Sequence, residues 1–173
     1  MSPEQAKGMA AFFTMVIENE MPTNIRVFEA IPEDKSGYRP DDKARTALEL
    51  ARHMVVSDLW FADAVIDGSF EMPSEDAENA VSSVSQALAL YKEKLPAALE
   101  KIKAMPGEQL AKPINMMGVF NFEAVIYLSF LIRHSVHHRG QLSTYLRPMG
   151  GKVPSIYGGS ADQPFEMPAG AGN

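Results

Sequence analysis

Three of the four histidines in this chain lie within five residues of one another. The segment HSVHHRGQL places them at His134, His137 and His138. In an α-helix, positions 134 and 138 are separated by about 40° and one turn, so both imidazoles can reach one ion at about 2.0–2.1 Å. Position 137 is rotated by about 100° from position 138 and leaves this face. The spacing predicts a two-histidine metal site, with surface or hydrogen-bonded core histidines as the alternative.

The remaining histidine, His53, lies in the helical segment ELARHMVVSDLW. It shares one helical face with Ser57 and Trp60, which points it at or near the interior of a helix bundle. Three imidazoles would leave a coordination position open for water or substrate, as in catalytic zinc sites. The alternative is a core histidine bonded to a carbonyl group. The charged residues of this helix form a neighbouring face that we predict to be solvated: Arg45, Glu49, Arg52 and Asp63.

Four further polar or aromatic residues are candidates for the site, two on the stripe that carries His134 and His138 and two on the first helix. Gln141 and Tyr145 continue the stripe that carries His134 and His138, and we predict that they line the pocket. Glu20 and Asn24 fall on the apolar stripe of the first helix, where a buried carboxylate needs a cation or hydrogen-bond donors. A metal centre, or a histidine bound to it, would supply that partner. Glu20 is therefore a candidate base or histidine-orienting residue, and Asn24 a candidate pocket residue, unless Pro22 turns both to the surface.

Composition narrows the chemistry of the site. The chain has no cysteine, so a metal must be bound by nitrogen and oxygen, and the chain itself supplies no thiolate nucleophile. The net charge of −6 makes nucleic acid an unsuitable partner. No apolar stretch approaches the roughly 18 residues that span a bilayer, and the N-terminus lacks the pattern of a signal peptide. These features predict a cytoplasmic protein without a membrane partner.

Helical periodicity dominates the sequence, and no segment shows sustained strand alternation. The pattern predicts an all-α fold, a four-helix bundle within residues 1–149, followed by an irregular Gly/Pro-rich tail at 150–173 that packs on the domain or on a partner subunit. Pro22 should kink or divide the first helix, and Asn121 should cap the last one. The predicted helices are Ala6–Ala30, Asp42–Ile66, Glu78–Ala104 and Asn121–Leu146.

The stretch HSVHHRGQLSTYLRPMGGKVPSIYG, from His134 to Gly158, resembles the DinB-like family, also called the DinB/YfiT-like metalloenzymes. Weaker matches are IPEDKSGYRP after the first helix and ELARHMVVSDLW around His53, so the resemblance covers nearly the whole chain. It implies an up-down-down-up bundle, commonly dimeric, with a nickel, zinc or other divalent-metal site. The family's ligands match His53, His134 and His138 here.

The resemblance also implies a reaction class. Characterised relatives include transferases and isomerases that use low-molecular-weight thiols, so the first hypothesis is a metal-dependent thiol-S-transferase acting on small electrophiles. A hydrolase in which the metal activates water is the second. The third is a non-catalytic, stress-associated metal-binding protein, which a centre closed by Glu20 with no adjoining cavity would favour.

Overall fold

The computed structural model describes residues 1–72 and 81–164. In these ranges the fold is mostly helical, as predicted, with one small antiparallel hairpin. Four helices are long, and a fifth has a single turn. In chain order they are α1 (Pro3–Glu29), α2 (Ala47–Asp67), α3 (Val84–Ala104), the short α4 (Gly107–Leu110) and α5 (Tyr127–Leu146).

The long helices enclose a single apolar core. Helix α2 packs against α3 and α5, and α1 packs against the same two helices. The interior is filled mainly by aliphatic side chains with a few aromatic ones. Among its largest fully buried members are Phe28, Leu50, Met54, Tyr91, Leu95, Leu99, Tyr127, Leu128 and Leu131.

Local sequence signals set the ends of α1 and α2. Ser2 and Gln5 form a reciprocal capping box at the start of α1. Thr46 and Glu49 form the same motif before α2. Helix α2 therefore begins at Ala47, whereas the predicted start was Asp42. Gly68, with φ of +73°, ends α2 at the predicted position because glycine adopts the left-handed conformation without a steric penalty.

The prediction that Pro22 divides the first helix is wrong. Helix α1 continues through Pro22, and α3 likewise continues through Pro96. Both prolines are exposed, as is Glu18 one turn before Pro22, so water can reach the backbone carbonyl that the proline leaves without a partner. The uninterrupted α1 keeps Asn24 on its buried face.

The hairpin corrects the all-α prediction. Strands β1 (Pro113–Met116) and β2 (Phe120–Glu123) pair antiparallel, so Asn121 lies in a strand and does not cap the last helix. Met117 and Gly118 both have positive φ in the turn. A 3-10 turn, Ala124–Ile126, then leads into α5. The Tyr127 hydroxyl donates to the Ile114 carbonyl at 2.9 Å and ties the hairpin to the start of that helix.

Two predicted segments are described only in part. Of the predicted third helix, residues 78–80 lie outside the described residues, and α3 begins at Val84. Of the predicted tail, residues 150–164 contain no helix or strand, and residues 165–173 lie outside the described residues. Arg147 on one side and the Val153 amide on the other both donate to Asp162 at 2.9 Å, which folds this segment back on itself.

Among the described residues, no helix combines the length and the apolar character that crossing a membrane requires.

Candidate metal centre

The three predicted histidines meet between α2 and α5. His53 projects from α2, and His134 and His138 project from successive turns of α5. One ring nitrogen from each lies within 4.8 Å of the other two. All three side chains are partly buried, whereas His137 is exposed. The His137 ring packs against the ring of His138, with the two centroids 4.8 Å apart.

The geometry of the three rings fits a metal ion. The Nε2 atoms of His53 and His134 are 3.0 Å apart. A tetrahedral ion with nitrogen ligands at about 2.0–2.1 Å would separate them by about 3.3 Å, so a small outward movement of the rings is enough. Among the described residues no carboxylate belongs to this group, so imidazole is the ligand type that it offers.

Each ring has a polar neighbour at its Nδ1 atom, away from the centre. The Ser57 hydroxyl lies 3.4 Å from Nδ1 of His53, and the Gln141 side-chain oxygen lies 3.0 Å from Nδ1 of His138. Such contacts set the tautomer and the orientation of a metal-binding imidazole. They leave the Nε2 atoms of His53 and His138 available for an ion.

The third ring faces Asp58, which the sequence analysis did not identify. Asp58 is fully buried on α2, and its Oδ1 lies 3.7 Å from Nδ1 of His134. Neither carboxylate oxygen, nor that Nδ1 atom, has a hydrogen-bond partner within the described part of the chain. A carboxylate behind a histidine is a common support for a metal ligand, so these orphaned buried atoms also fit a metal centre. The sequence signal was a carboxylate placed between the apolar pairs Met54-Val55 and Phe61-Ala62.

Burial lowers the pKa of two of these histidines, His53 and His138. Partial burial, together with the smaller effects of the nearby charges of Arg45, His134 and His138, lowers the pKa of His53 to about 4. Burial also lowers the pKa of His138, partly offset by its hydrogen bond to Gln141. Burial raises the pKa of Asp58, and the nearby side chains of His134, Ser135 and Tyr91 oppose that shift. Neutral imidazole is the form that binds a metal, so little proton competition is expected near neutral pH.

Two predicted pocket residues lie next to this centre or behind it. Gln141 contacts His138 directly and donates through Nε2 to the Tyr145 hydroxyl at 3.3 Å. Tyr145 is buried and packs edge-on against Tyr38. The structure therefore places Gln141 beside a candidate ligand and Tyr145 one step further from it.

Glu20 and Asn24 lie in a separate polar cluster. Glu20 pairs with Arg139 and accepts a hydrogen bond from the Tyr157 hydroxyl at 2.9 Å. Asn24 accepts from Arg139 at 3.1 Å and donates to Ser135 at 2.8 Å. Neither residue belongs to the group of three histidines. We call Glu20, Asn24, Arg139 and Tyr157 the arginine cluster.

Arg139 was also missed by the sequence analysis. It is 1% exposed, although arginine is rarely buried without a partner. The sequence feature that could have indicated its burial is its position on the apolar stripe of α5, on the same face as Leu131, Ser135 and Leu142. An arginine on such a stripe requires buried acceptors from another element, and α1 supplies them.

An open pocket of about 490 Å³ lies on the His53 side of the group, and His53 forms part of its wall. Its rim joins the loop before α2 to the first turns of that helix. Arg45, Glu49 and Arg52, which we assigned to a plain solvated face, all line it. The remaining charged lining residues are Arg39, Asp42 and Lys43.

Two proteins of Bacillus subtilis are similar to this chain in sequence. YjoA of Bacillus subtilis is 29% identical over 127 residues, which is 70% of this chain and 79% of YjoA. YrdA of the same organism is 32% identical over 99 residues, covering 56% of this chain and 58% of YrdA.

Two crystal structures share the fold. A DinB-like protein from Bacillus cereus superposes with a TM-score of 0.68 at 21% identity, over 84% of this chain and 95% of that protein. The YjoA structure superposes with a TM-score of 0.62 at 20% identity, over 84% and 94%. The model of the DinB family matches residues 13–166, which is most of the sequence. The chain belongs to the DinB family.

Proposed function

We propose that this protein is a metal-dependent transferase that joins a low-molecular-weight thiol to a small electrophile, with His53, His134 and His138 holding the ion. The observation that carries the proposal is the convergence of three ring nitrogens within 4.8 Å beside an open pocket. Nickel and zinc are the ions we propose, since both accept imidazole ligands. A divalent ion held there would act as a Lewis acid and lower the pKa of a thiol that reaches it.

The chain's own residues would prepare this centre. Asp58 would hold the Nδ1 proton of His134, which directs Nε2 of that ring to the ion. Gln141 would fix the ring of His138 in the same way. Glu20 is engaged by Arg139 and Tyr157, which favours an indirect role through Arg139 over direct proton transfer at the histidines.

The surroundings favour a thiol over water as nucleophile. Glu49, a carboxylate of the pocket, accepts hydrogen bonds from the backbone and side chain of Thr46, and these contacts lower its pKa and make it a weak base. The Asp42 carboxylate lies 3.9 Å from the guanidinium group of Arg39, and the two form an ion pair. A cysteine thiol has a pKa of about 8.5 and water one of 15.7, so a thiol needs far less help from a base. A hydrolase remains the alternative.

A non-catalytic metal site is the less favoured reading. A purely structural centre is usually closed by a fourth protein ligand. Here the group of three contains no carboxylate, and His53 lines a pocket that opens to the surface. Both features support a centre that small molecules reach.

Elemental analysis of untagged protein tests the metal site. We expect close to one ion per chain after incubation with nickel or zinc, and none in a His134→Ala, His138→Ala double variant. The matched control is His137→Ala, which removes an exposed histidine from the same turn and should leave the metal content unchanged. Equal metal content in all three proteins would remove the basis of the proposal.

Thiol consumption tests the reaction. With glutathione and 1-chloro-2,4-dinitrobenzene, loaded protein should consume thiol faster than protein stripped by a chelator. Identical rates with and without metal would contradict the transferase proposal. Product release by loaded protein without any thiol would favour the hydrolase instead.

The family resemblance extends the proposal to assembly and location. We propose an up-down-down-up arrangement of the four long helices, a homodimer, and a cytoplasmic protein that acts on a small molecule and not on nucleic acid or membranes. The tail from residue 150 is a candidate contributor to the dimer. Sedimentation of a protein lacking the last twenty residues checks that contribution, and an unchanged dimer would exclude those residues from it.

A further inference from the structure

The pocket beside His53 concentrates positive charge in an acidic protein. Its lining contains four cationic side chains and two carboxylates, although the whole chain carries a net charge of −6. The helix α2 begins at this pocket with Thr46 as its N-cap, so the positive end of a 21-residue helix adds to the same field. The cationic residues are Arg39, Lys43, Arg45 and Arg52.

The two local carboxylates offset only part of this charge. Glu49 is turned to Thr46, which donates its backbone N–H at 2.7 Å. Asp42 meets Arg39. The side chains of Lys43 and Arg45 form no hydrogen bond and no ion pair within residues 1–72 and 81–164. Two cationic groups are therefore available to an incoming anion.

The charge lies close to the histidines. His53 is a wall of the pocket, and the charge of Arg45 is near enough to lower the pKa of both His53 and His138. Three neutral imidazoles bring no negative charge to a divalent ion, and Asp58 is buried behind His134. An ion in this centre and Arg45 would repel each other unless an anion lay between or beside them.

We propose that this pocket selects thiols that carry a carboxylate, with Arg45 and Lys43 binding the carboxylate while the sulfur is directed to the histidine centre. This inference rests on the proposed thiol chemistry and names the class of thiol. The guanidinium of Arg45 suits a carboxylate because its paired N–H groups match the two oxygens. Lys43 adds a second charge at the rim.

The test compares two thiols of similar size that differ in one charge, 3-mercaptopropionate and 2-mercaptoethanol. Protein loaded with Co²⁺ in place of the native ion reports sulfur binding through its absorption spectrum. We expect 3-mercaptopropionate to bind about tenfold more tightly at low salt, as a charge-assisted contact provides. The preference should shrink to about twofold or less in an Arg45→Gln, Lys43→Gln variant, while the affinity for 2-mercaptoethanol stays the same.

Lys94→Gln is the matched control, since Lys94 is an exposed cation on α3 that pairs with Glu93 and lies outside the pocket. It should keep the full preference for the carboxylate. An equal preference in wild type and in the Arg45→Gln, Lys43→Gln variant overturns the inference and leaves the proposed thiol chemistry standing.

A second measurement separates failure of the pocket from failure of the thiol chemistry. Succinate is titrated into chelator-stripped protein, and the Arg45 Nε–Hε signal is followed by NMR. A saturable shift that Lys94→Gln retains supports the anion pocket even if neither thiol changes the cobalt spectrum, in which case the thiol chemistry fails. Absence of any shift overturns the pocket, whatever the thiols do.

Discussion

Two polar clusters between the helices of this protein are built in opposite ways. In the arginine cluster every principal group is paired, because Arg139 bonds Glu20, Asn24 and Tyr157, and Asn24 also bonds Ser135. We call His53, His134, His138 and Asp58 the histidine cluster. In it, both oxygens of Asp58 and the Nδ1 atom of His134 lack hydrogen-bond partners among the described residues. Helix α5 contributes to both clusters, since it supplies Arg139 to one and His134 and His138 to the other.

This difference separates a structural role from a ligand-binding one. A fully satisfied buried network rigidifies the fold, and breaking it leaves polar groups stranded. Buried polar atoms without partners cost free energy, and a native protein keeps few of them. The arginine cluster therefore serves mainly to hold α1, α5 and the segment 150–164 together. The three histidines of the other cluster could hold a metal ion.

The largest expected effect comes from breaking the satisfied cluster. Arg139→Leu removes the cation and leaves Glu20 and Asn24 without their donor, which should lower the free energy of unfolding by about 3–5 kcal/mol. Urea denaturation of the metal-free protein measures it. Arg133→Leu is the control, because Arg133 is an exposed arginine of the same helix and should cost about 0.5 kcal/mol or less. Equal losses in the two variants would contradict the structural role.

The corresponding change in the histidine cluster should act on the metal and not on the fold. Asp58→Asn replaces an acceptor with a group that can also donate to Nδ1 of His134, which favours the wrong tautomer. Metal affinity should fall about 10–100-fold, as measured by competition with a chromogenic chelator. The stability of the metal-free protein should not fall, because a buried carboxylate with a raised pKa is removed. Unchanged metal affinity, or a loss of stability like that of Arg139→Leu, would erase the distinction between the clusters.

The contrast also explains what the sequence could and could not predict. The spacing of His134 and His138 is a local property of one helix, so their convergence followed from helical geometry alone. His53 required only that α2 and α5 present their inner faces to each other. Asp58 and Arg139 could not be assigned roles in this way, because their partners lie on other helices or in the segment 150–164.

The same distinction between local and long-range information applies to the fold. The long helices were predictable because their apolar periodicity extends over five turns or more. The start of α2 was nevertheless predicted at Asp42, although Thr46 and Glu49 form a capping box that is typical of a helix beginning at Ala47. The strands of the hairpin have four residues each, too few for alternation to stand out. The pocket beside His53 was not predicted, because its cationic residues are spread along the sequence from Arg39 to Arg52 and become neighbours only where the loop meets α2.

A smaller effect tests the link between the arginine cluster and the tail segment. Tyr157→Phe removes one hydroxyl that accepts from Arg139 and donates to Glu20. It should lower the free energy of unfolding by about 1 kcal/mol, the net worth of a typical hydrogen bond, without changing metal content. Urea denaturation together with elemental analysis checks both statements. A change in metal content with unchanged stability would place Tyr157 with the histidines instead.

The smallest effect is the dependence of stability on pH in the metal-free protein. His53 is protonated near pH 4 in the folded state and near pH 6.5 in the unfolded chain, so between these values the unfolded state binds more protons. Stability should therefore decline as the pH falls from about 6.5 towards 4. Because His53 is only half-buried, the decline should be modest, and carboxylates contribute to it as well. Urea midpoints for wild type and His53→Gln isolate the histidine contribution: the difference between the two proteins should shift in favour of the variant as the pH falls. A difference that stays constant from pH 7 to pH 4 would show that His53 is not held neutral by burial, and the histidine cluster would lose the feature that distinguishes it from a solvated group of imidazoles.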